Sequence, residues 1–300
     1  MYRDPTHLTC VIPWPSYRQV MALKTTRSYN IGRRIKTLLH LGYARFHKQR
    51  LCCVFEQLPW AAELFARHHR LFMAPFQHYV DVRSTMGSRF AMVISDLNFF
   101  DSRLERGKLA GLTRADRVTL VSDPSSAMQL DLGWNLDNPQ EGLWLLTLRD
   151  ERCGGAIFSA AFSIYGNRLF VGAIQGPPGR NRKSDVRDAT RALHGMRPRY
   201  FLIEVLRQCA SLWQLDGLVG IDGRHQFKAH SRSHRVHQVY FDYTQFWQEL
   251  GAMPEPDGNW RLPELSLRKP IDAIESRKRA MYLRRFALLD ATKQQLSATI

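Results

Sequence analysis

One stretch of the chain, residues 169–222, constrains the fold most because apolar runs alternate with helix-like segments along it. The stretch begins with the apolar run LFVGAIQG at residues 169–176, and a loop rich in proline, glycine and arginine follows it. Two helix-like segments follow, the second over residues 199–213, and the apolar run LVGI closes the stretch at residues 218–221. Alternation of helix and strand here predicts a mixed sheet covered by helices.

Glycine and arginine cluster where the first of these strands gives way to helices. Glycine lets a backbone approach a ligand closely, helix N-termini attract anions, and arginine supplies fixed positive charge. The stretch therefore predicts a site for a phosphorylated ligand, with a pyrophosphate at the start of the 199–213 helix clasped by Arg197. The candidate ligand-binding residues are Gln175, Gly176, Gly179, Arg180, Arg182, Lys183, Gly195 and Arg197. The alternative is structural, with glycines serving tight turns and Arg197 making a surface contact.

Short apolar or alternating runs dominate the chain from about residue 90 to residue 176. They are separated by turn-like clusters and predict strands over residues 117–121, 143–148, 156–164 and 169–175. The last three follow one another closely and predict an antiparallel meander. The fold class predicted is α+β, a mixed and largely antiparallel sheet with flanking helices.

Helical spacing of apolar residues predicts further helices outside the sheet region. They are expected over residues 31–46, 60–72, 243–250 and 271–289, with Pro75 stopping the second. A chain of 300 residues with 44% hydrophobic content can bury a large core. We therefore expect a basic helical N-terminal extension over residues 1–80 and an α+β core domain over residues 81–300, closed by a basic C-terminal helix.

The formal net charge of +16 is distributed unevenly along the chain. Residues 1–50 hold ten Lys and Arg against the single acid Asp4, and two further basic concentrations lie at residues 180–199 and 277–285. Such a field favours nucleic acid, an anionic membrane face or a phosphorylated small molecule as partner. Solvated arginines without any partner are the alternative.

The predicted helix over residues 31–46 carries its cations between apolar positions. Arg33, Arg34 and Lys36 would give it a basic face suited to an anionic membrane surface, whereas docking on the core is the other interpretation. No run approaches the roughly 18 apolar residues of a membrane span, and the N-terminus shows no signal-peptide core. We expect a cytoplasmic protein without a transmembrane segment, with peripheral attachment to the inner membrane as a further hypothesis.

Common catalytic signatures are missing from the sequence. It has no nucleotide-binding glycine loop, zinc-protease motif or nucleophile elbow. Four histidines between residues 225 and 237 are interleaved with cations that would repel a metal, so no metal site is predicted. The five cysteines lack Cys-x-x-Cys spacing and predict free thiols. His194 is a candidate general base if it faces a cleft, although a structural histidine is the commoner case.

Several segments together resemble the VirK/YbjX family of Gram-negative bacteria, over residues 36–289. The resemblance rests on residues 55–60, the FVGAIQGP run at 170–177, LHGMRP at 193–198, residues 243–251 with the Phe246-Trp247 pair, WRLP at 260–263, and SRKRAMYLRR at 276–285. It departs from the family pattern at Arg277, Leu283 and the Gly154-Gly155 turn. The resemblance implies a role in virulence, in outer-membrane and lipopolysaccharide homeostasis and in tolerance of antimicrobial peptides. It implies no catalytic residue, because the biochemical activity of the family is not established.

The order of elements after the meander also resembles the acyl-CoA-binding half of the GNAT acyltransferase fold. This is an analogy of fold, which by itself transfers no activity. Three hypotheses stay open: an envelope-related accessory protein that acts by binding, a GNAT-like acyltransferase with a CoA-type ligand, and a basic nucleic-acid-binding protein. The last lacks a helix-turn-helix, zinc-finger or aromatic single-strand motif.

Overall fold

The computed structural model describes residues 45–76, 78–123, 127–152, 155–176, 183–230, 241–264 and 268–300. Within these ranges, eight strands form one sheet in the order β1-β2-β3-β4-β5-β6-β8-β7. They are β1 (Arg117–Asp123), β2 (Met128–Trp134), β3 (Trp144–Asp150), β4 (Gly155–Tyr165), β5 (Arg168–Gln175), β6 (Gly217–Gly220), β7 (Met253–Pro254) and β8 (Trp260–Leu262).

Helices surround this sheet in the described part of the chain. They are α1 (Arg45–Gln57), α2 (Pro59–Arg67), α3 (Met73–Phe76), α4 (Met86–Arg103), α5 (Arg106–Ala115), α6 (Lys183–Ala192), α7 (Pro198–Leu212), α8 (Phe227–His230), α9 (Tyr243–Glu249) and α10 (Ser276–Thr299). Short 3-10 turns cover His69–Phe72, Pro139–Glu141 and Gly223–His225.

The sheet is mixed and largely antiparallel, as predicted. Strands β1 to β5 form an antiparallel meander, and β6 pairs in parallel with β5 after the crossover through α6 and α7. The short strands β8 and β7 complete the sheet in antiparallel pairing. The α+β fold class is therefore confirmed.

The region of short apolar or alternating runs was expected from about residue 90, but the first strand begins only at Arg117. Helices α4 and α5 occupy residues 86–115, with Thr85 accepting a hydrogen bond from the Ser88 N–H at the start of α4. Strand β2 was also missed, because Asp131 and Gly133 make its sequence look like a turn. Asp131 is nevertheless buried, within 4 Å of the guanidinium groups of Arg117 and Arg149 on the flanking strands.

Helix boundaries also differ from the prediction. The helix expected over residues 60–72 ends at Arg67 and resumes as a 3-10 turn, while Pro75 lies within α3, in a first turn that tolerates proline. The C-terminal helix begins at Ser276 rather than at residue 271 and continues to Thr299, because Leu289, Thr292 and Leu296 bury one side of it. Residues 31–44 of the helix predicted over residues 31–46 lie outside the described residues.

Helix α4 is fixed to β4 by a buried carboxyl group. Asp96 is fully buried and accepts hydrogen bonds from Ser163 Oγ at 2.7 Å, from the Ile164 N–H at 2.5 Å and from the Tyr79 hydroxyl. Apolar side chains of α1 and α2 belong to the same hydrophobic core as the sheet. The division of the chain at residue 80 stays a prediction.

Candidate functional site

The two parallel strands diverge at their carboxyl ends. Strands β5 and β6 pair only from Arg168 with Gly217 to Val171 with Gly220, and one further bond joins the Ile221 N–H to the Val171 carbonyl at 3.1 Å. Beyond this point, residues 173–175 of β5 pair with β4 alone, and Gly172 lies at the register shift of that pairing. We call residues 172–175 the β5 edge. Ligands of open α/β sheets bind outside the carboxyl ends of parallel strands, so this edge is the candidate site.

Helix α9 fills the gap between the diverging strands. The Tyr243 hydroxyl accepts a hydrogen bond from the Ile174 N–H at 3.0 Å and donates to the Ile174 carbonyl at 3.2 Å. Trp247 lies on Gly220, where a Cβ would overlap its indole ring, and its Nε1–H donates to the Ile221 carbonyl at 3.0 Å. Burial raises the pKa of Tyr243 far above its ordinary value. Side chains of α9 thus take the place of a neighbouring strand.

The turn before β3 approaches the β5 edge through a glycine. A Cβ at Gly172 would overlap the carbonyl oxygen of Glu141, so this strand position admits glycine alone. The close approach places the Glu141 carboxylate beside Gln175, the last residue of β5, whose Nε2 donates to Glu141 Oε2. A buried acid therefore stands at the end of β5.

Glu141 is paired with a lysine from the segment that follows β6. Lys228 Nζ lies 3.0 Å from Glu141 Oε1, and while Glu141 is 1% exposed, the Lys228 side chain is 25% exposed. Burial raises the pKa of Glu141, and the charge of Lys228 and the Gln175 amide offset only part of that rise. A buried carboxyl group with a raised pKa at the end of a strand is the type of group that transfers protons in active sites.

A second carboxylate, Asp222, follows β6, and its pKa is moved in the opposite direction. It accepts hydrogen bonds from Arg224 Nε at 2.9 Å and from Trp260 Nε1 at 3.0 Å. Burial favours the neutral acid, but these bonds and the Arg224 N–H lower the pKa of Asp222 to about 2. Asp222 is therefore ionised throughout the physiological range. Two carboxyl groups with pKa values moved in opposite directions suit different roles at one edge.

Asn259 connects Asp222 with the segment before α4. Its Oδ1 accepts from the Asp222 N–H at 3.2 Å, and its Nδ2 donates to Asp81 Oδ2 at 3.2 Å. Asp81 is in turn bonded by Arg83 Nη2 at 2.5 Å. These bonds fix the position of Asp222 relative to the rest of the domain.

Three of the candidate ligand residues between the end of β5 and the start of α6 lie within the described residues. Gln175 is half-buried and bonded to Glu141, whereas Gly176 and Lys183 are exposed. Lys183 is the first residue of α6. Gly179, Arg180 and Arg182 lie outside the described residues, so their part in a phosphate site stays a prediction.

The turn between α6 and α7 holds His194 and Gly195 in left-handed conformations. Their φ angles are +52° and +80°. The His194 carbonyl accepts from Arg285 Nε at 2.7 Å, and a Cβ on Gly195 would lie 2.8 Å from Arg285 Nη2. In this structure the close approach that Gly195 permits is made by a side chain of α10.

Arg197 stands exposed at the start of α7. Pro198 supplies no N–H to an anion there, and the N–H groups of Tyr200 and Phe201 donate to the Arg197 carbonyl. The guanidinium of neighbouring Arg199 lies 5.1 to 5.4 Å from the ring centres of Tyr200, Phe241 and Phe246. The N–H groups of Tyr200 and Phe201 are thus already bonded, and the Arg197 side chain and the preceding loop are the groups we expect to hold a phosphate at this helix start.

Sequence reasoning missed four residues of this edge: Glu141, Asp222, Lys228 and Tyr243. Glu141 was assigned to no element and Tyr243 to an ordinary helix, and neither was recognised as a site residue because their partners are distant in the chain. Gly172 within an otherwise apolar strand was the available signal, since such a glycine marks a close backbone contact.

The described residues test only some of the remaining predictions. Arg33, Arg34 and Lys36 lie outside the described residues. Cys52, Cys53 and Cys209 are free thiols, and burial raises the pKa of Cys209 to about 12. None of the described helices combines the length and apolar character that a bilayer crossing requires.

Comparison with known proteins identifies the family. The model of DUF535, a family described as proteins of unknown function, matches residues 29–298, and the chain therefore belongs to this family. An uncharacterized protein of Haemophilus influenzae is 29% identical over 217 residues, 71% of each chain. Escherichia coli YbjX is 28% identical over 130 residues, 43% of this chain and 39% of YbjX. The Mannheimia haemolytica protein named membrane protein LapB is 24% identical over 220 residues, 72% of this chain and 94% of LapB.

The resemblance to the VirK/YbjX family is confirmed by these matches. No solved structure matches the chain. One relative, LapB, is named a membrane protein, and the DUF535 family is described as proteins of unknown function.

Proposed function

We propose that this member of the DUF535 family is an acyltransferase-like protein that binds a CoA-type thioester at the β5 edge. The observation that most supports this proposal is that the parallel strands β5 and β6 stop pairing after Val171 and Gly220. A glycine- and arginine-rich loop follows β5 directly. This is the place where open sheets bind ligands and where helix starts receive phosphates. The likeness to the GNAT fold is part of this proposal.

The proposed reaction is transfer of the acyl group to an amine or hydroxyl acceptor. The acceptor attacks the thioester carbonyl, the C–S bond breaks, and CoA leaves as a thiolate, which then receives the proton that the acceptor has given up through Glu141. Glu141 has a raised pKa and a partly exposed lysine partner, so it would take the proton that the acceptor loses. Asp222, held ionised, would fix the charge and position of the segment after β6.

The diphosphate of the ligand would lie at the start of α7, near the loop after β5. Arg197 would bind it through two parallel hydrogen bonds, and Lys183 and the loop arginines would add charge. His194 is a second candidate base on the basis of its place in the same turn. Calorimetric titration with CoA and acetyl-CoA tests the proposal, and absence of heat at millimolar ligand would end it.

The biological setting we propose is the maintenance of the outer membrane and its lipopolysaccharide, with a role in virulence and in tolerance of antimicrobial peptides. Family membership and the name of LapB support this setting. Deletion of the gene should increase susceptibility to cationic antimicrobial peptides. Re-expression of the wild type should restore resistance, whereas the Arg197→Lys variant should not.

A position at the cytoplasmic face of the inner membrane fits the same setting. The protein named membrane protein LapB covers 72% of this chain, and the family match includes the basic residues Arg33, Arg34 and Lys36. These cations would attract anionic lipid without a membrane span.

A further inference from the structure

An apolar cavity of about 160 Å³ lies between the sheet and the C-terminal helix. Leu130 and Leu148 line it from the sheet, Leu193 and Phe201 from the segment around the α6–α7 turn, and Leu288 from α10. An apolar cavity of about 150 Å³ stays dry and binds a molecule the size of benzene. The cavity therefore has room for a hydrocarbon group on the order of six carbon atoms.

The lining of the cavity includes residues along two turns of α10. Leu288, Ala291, Thr292 and Gln295 all line it, and their spacing places them on one side of the helix. Seven residues of helix span about 10 Å, so the lining follows α10 for that distance. A linear chain fits this shape.

The two ends of the cavity differ in charge. At the Leu288 end, the preceding helical turn carries the exposed Arg284 and also Arg285, which binds the His194 carbonyl. At the other end, Gln295 accepts a hydrogen bond from the Ser122 N–H, beside the lining residue Asp123. An anionic head group is attracted to the arginine end.

The cavity also lies at the same level of the sheet as the β5 edge. Leu148 is the register partner of Leu130 on one side and of Phe158 on the other. On β4 the next residue, Ser159, pairs with Gln175. Strands β3 and β5 are two spacings, or about 10 Å, apart. The cavity is therefore within reach of a chain whose head lies near the β5 edge.

We infer that this cavity binds the acyl chain of an anionic amphiphile, with the head group at the arginine end. Its shape, apolar lining and charge difference carry the inference, which does not depend on a CoA site. Two sources share this chemistry: a free fatty acid and the acyl chain of a thioester donor.

Calorimetric titration with butanoate, hexanoate, octanoate and dodecanoate tests the inference. Each buried methylene contributes about 0.8 kcal/mol, which is about a fourfold gain in affinity. The wild type should show this gain up to about octanoate and little beyond, because the cavity is then full. An affinity independent of chain length would overturn the inference.

Variants that change the cavity volume sharpen the test. Ala291→Phe should fill the cavity and reduce octanoate affinity at least tenfold, and Thr292→Leu should act in the same direction from a buried lining position. Leu288→Ala should instead extend the gain to longer chains. Ala287→Phe, one turn away at an exposed position outside the lining, is the matched control and should change nothing. Equal octanoate affinity in all four variants would overturn the inference.

The same titrations with CoA and octanoyl-CoA distinguish the two sources. If octanoyl-CoA binds more tightly than CoA and Ala291→Phe removes the difference, one ligand occupies both the β5 edge and the cavity. If the fatty acids bind with the expected chain dependence while neither CoA nor octanoyl-CoA binds, the cavity inference holds and the CoA proposal fails. If CoA and octanoyl-CoA bind equally and the fatty acids show no gain with chain length, the cavity inference fails and the CoA proposal stands.

Discussion

The hydroxyl of Tyr243 satisfies both backbone groups of Ile174, accepting from its N–H at 3.0 Å and donating to its carbonyl at 3.2 Å. A tyrosine from α9 thus replaces the strand that would otherwise pair with the end of β5. Such a contact closes this edge of the sheet.

Tyr243→Phe should remove this contact and lower the stability of the protein. Ile174 would lose both partners at a buried position, and we expect a loss of about 1–3 kcal/mol in the free energy of unfolding. Urea denaturation measures the loss, and amide hydrogen exchange should be faster at Ile174. Tyr282→Phe, on a half-buried tyrosine of α10, is the control. Unchanged exchange at Ile174 in the Tyr243 variant would contradict the assigned contact.

Removal of Lys228 should leave Glu141 buried without its cation. Lys228→Met is expected to raise the pKa of Glu141 further and to cost about 1–3 kcal/mol at neutral pH, less than for a fully buried pair because Lys228 is partly exposed. The cost should shrink at acidic pH, where Glu141 is protonated. The double variant Lys228→Met with Glu141→Gln should recover most of the loss, and a purely additive pair of losses would argue against the ion pair.

Asp96 should make stability depend on pH. Burial raises its pKa from 3.8 to about 7, against the opposing hydrogen bonds of Tyr79, Ile164 and Ser163. The folded protein keeps this proton to higher pH than the unfolded chain does. Its contribution is therefore full below about pH 4 and is lost as the pH rises to about 7, by at most about 1.4 kcal/mol per pH unit.

Asp96→Asn should flatten this part of the pH profile of the free energy of unfolding. Asp101→Asn, at an exposed position of the same helix α4, is the matched control and should retain the slope. The same slope in the wild type and in the Asp96 variant would show that another group titrates.

Gly195 and Gly166 form a matched pair for testing the contact between the α6–α7 turn and α10. Both have positive φ angles, +80° and +55°, but only Gly195 has side-chain atoms of Met281 and Arg285 where a Cβ would lie. Each change to alanine should cost about 1 kcal/mol in backbone strain. Gly195→Ala should lower the free energy of unfolding, measured by thermal unfolding, more than Gly166→Ala does. Equal losses would show that the side chains of α10 move away without cost.

Membrane attachment is tested with vesicles that contain anionic lipid. Arg33, Arg34 and Lys36 should each contribute about 1 kcal/mol of attraction that salt weakens. Replacing all three by glutamate should abolish sedimentation with the vesicles, whereas replacing Arg277, Lys278 and Arg284 of α10 in the same way should not. Unchanged sedimentation of the first variant would exclude this surface.

The sequence predicted the meander, the crossover helices and the strands β5 and β6, because the apolar pattern of each segment is local. It did not predict β2, whose Asp131 is buried through arginines on both neighbouring strands. Nor did it predict the site residues Glu141, Lys228 and Tyr243, which meet at the end of β5 through contacts between distant segments. Among these residues, Gly172 was the one local indication of the contacts at the end of β5, because a Cβ at this position would overlap the Glu141 carbonyl.

The most direct test of the proposed CoA site is calorimetric titration of CoA into the wild type and into Arg197→Lys and Arg187→Lys variants. Lysine cannot reproduce two parallel hydrogen bonds, and a charge-assisted bond is worth about 1.5 to 3 kcal/mol. We expect saturable binding to the wild type, at least tenfold weaker binding to Arg197→Lys, and unchanged binding to Arg187→Lys, whose side chain is 73% exposed on α6. Absence of heat at millimolar CoA, or equal affinities in all three proteins, would contradict the account.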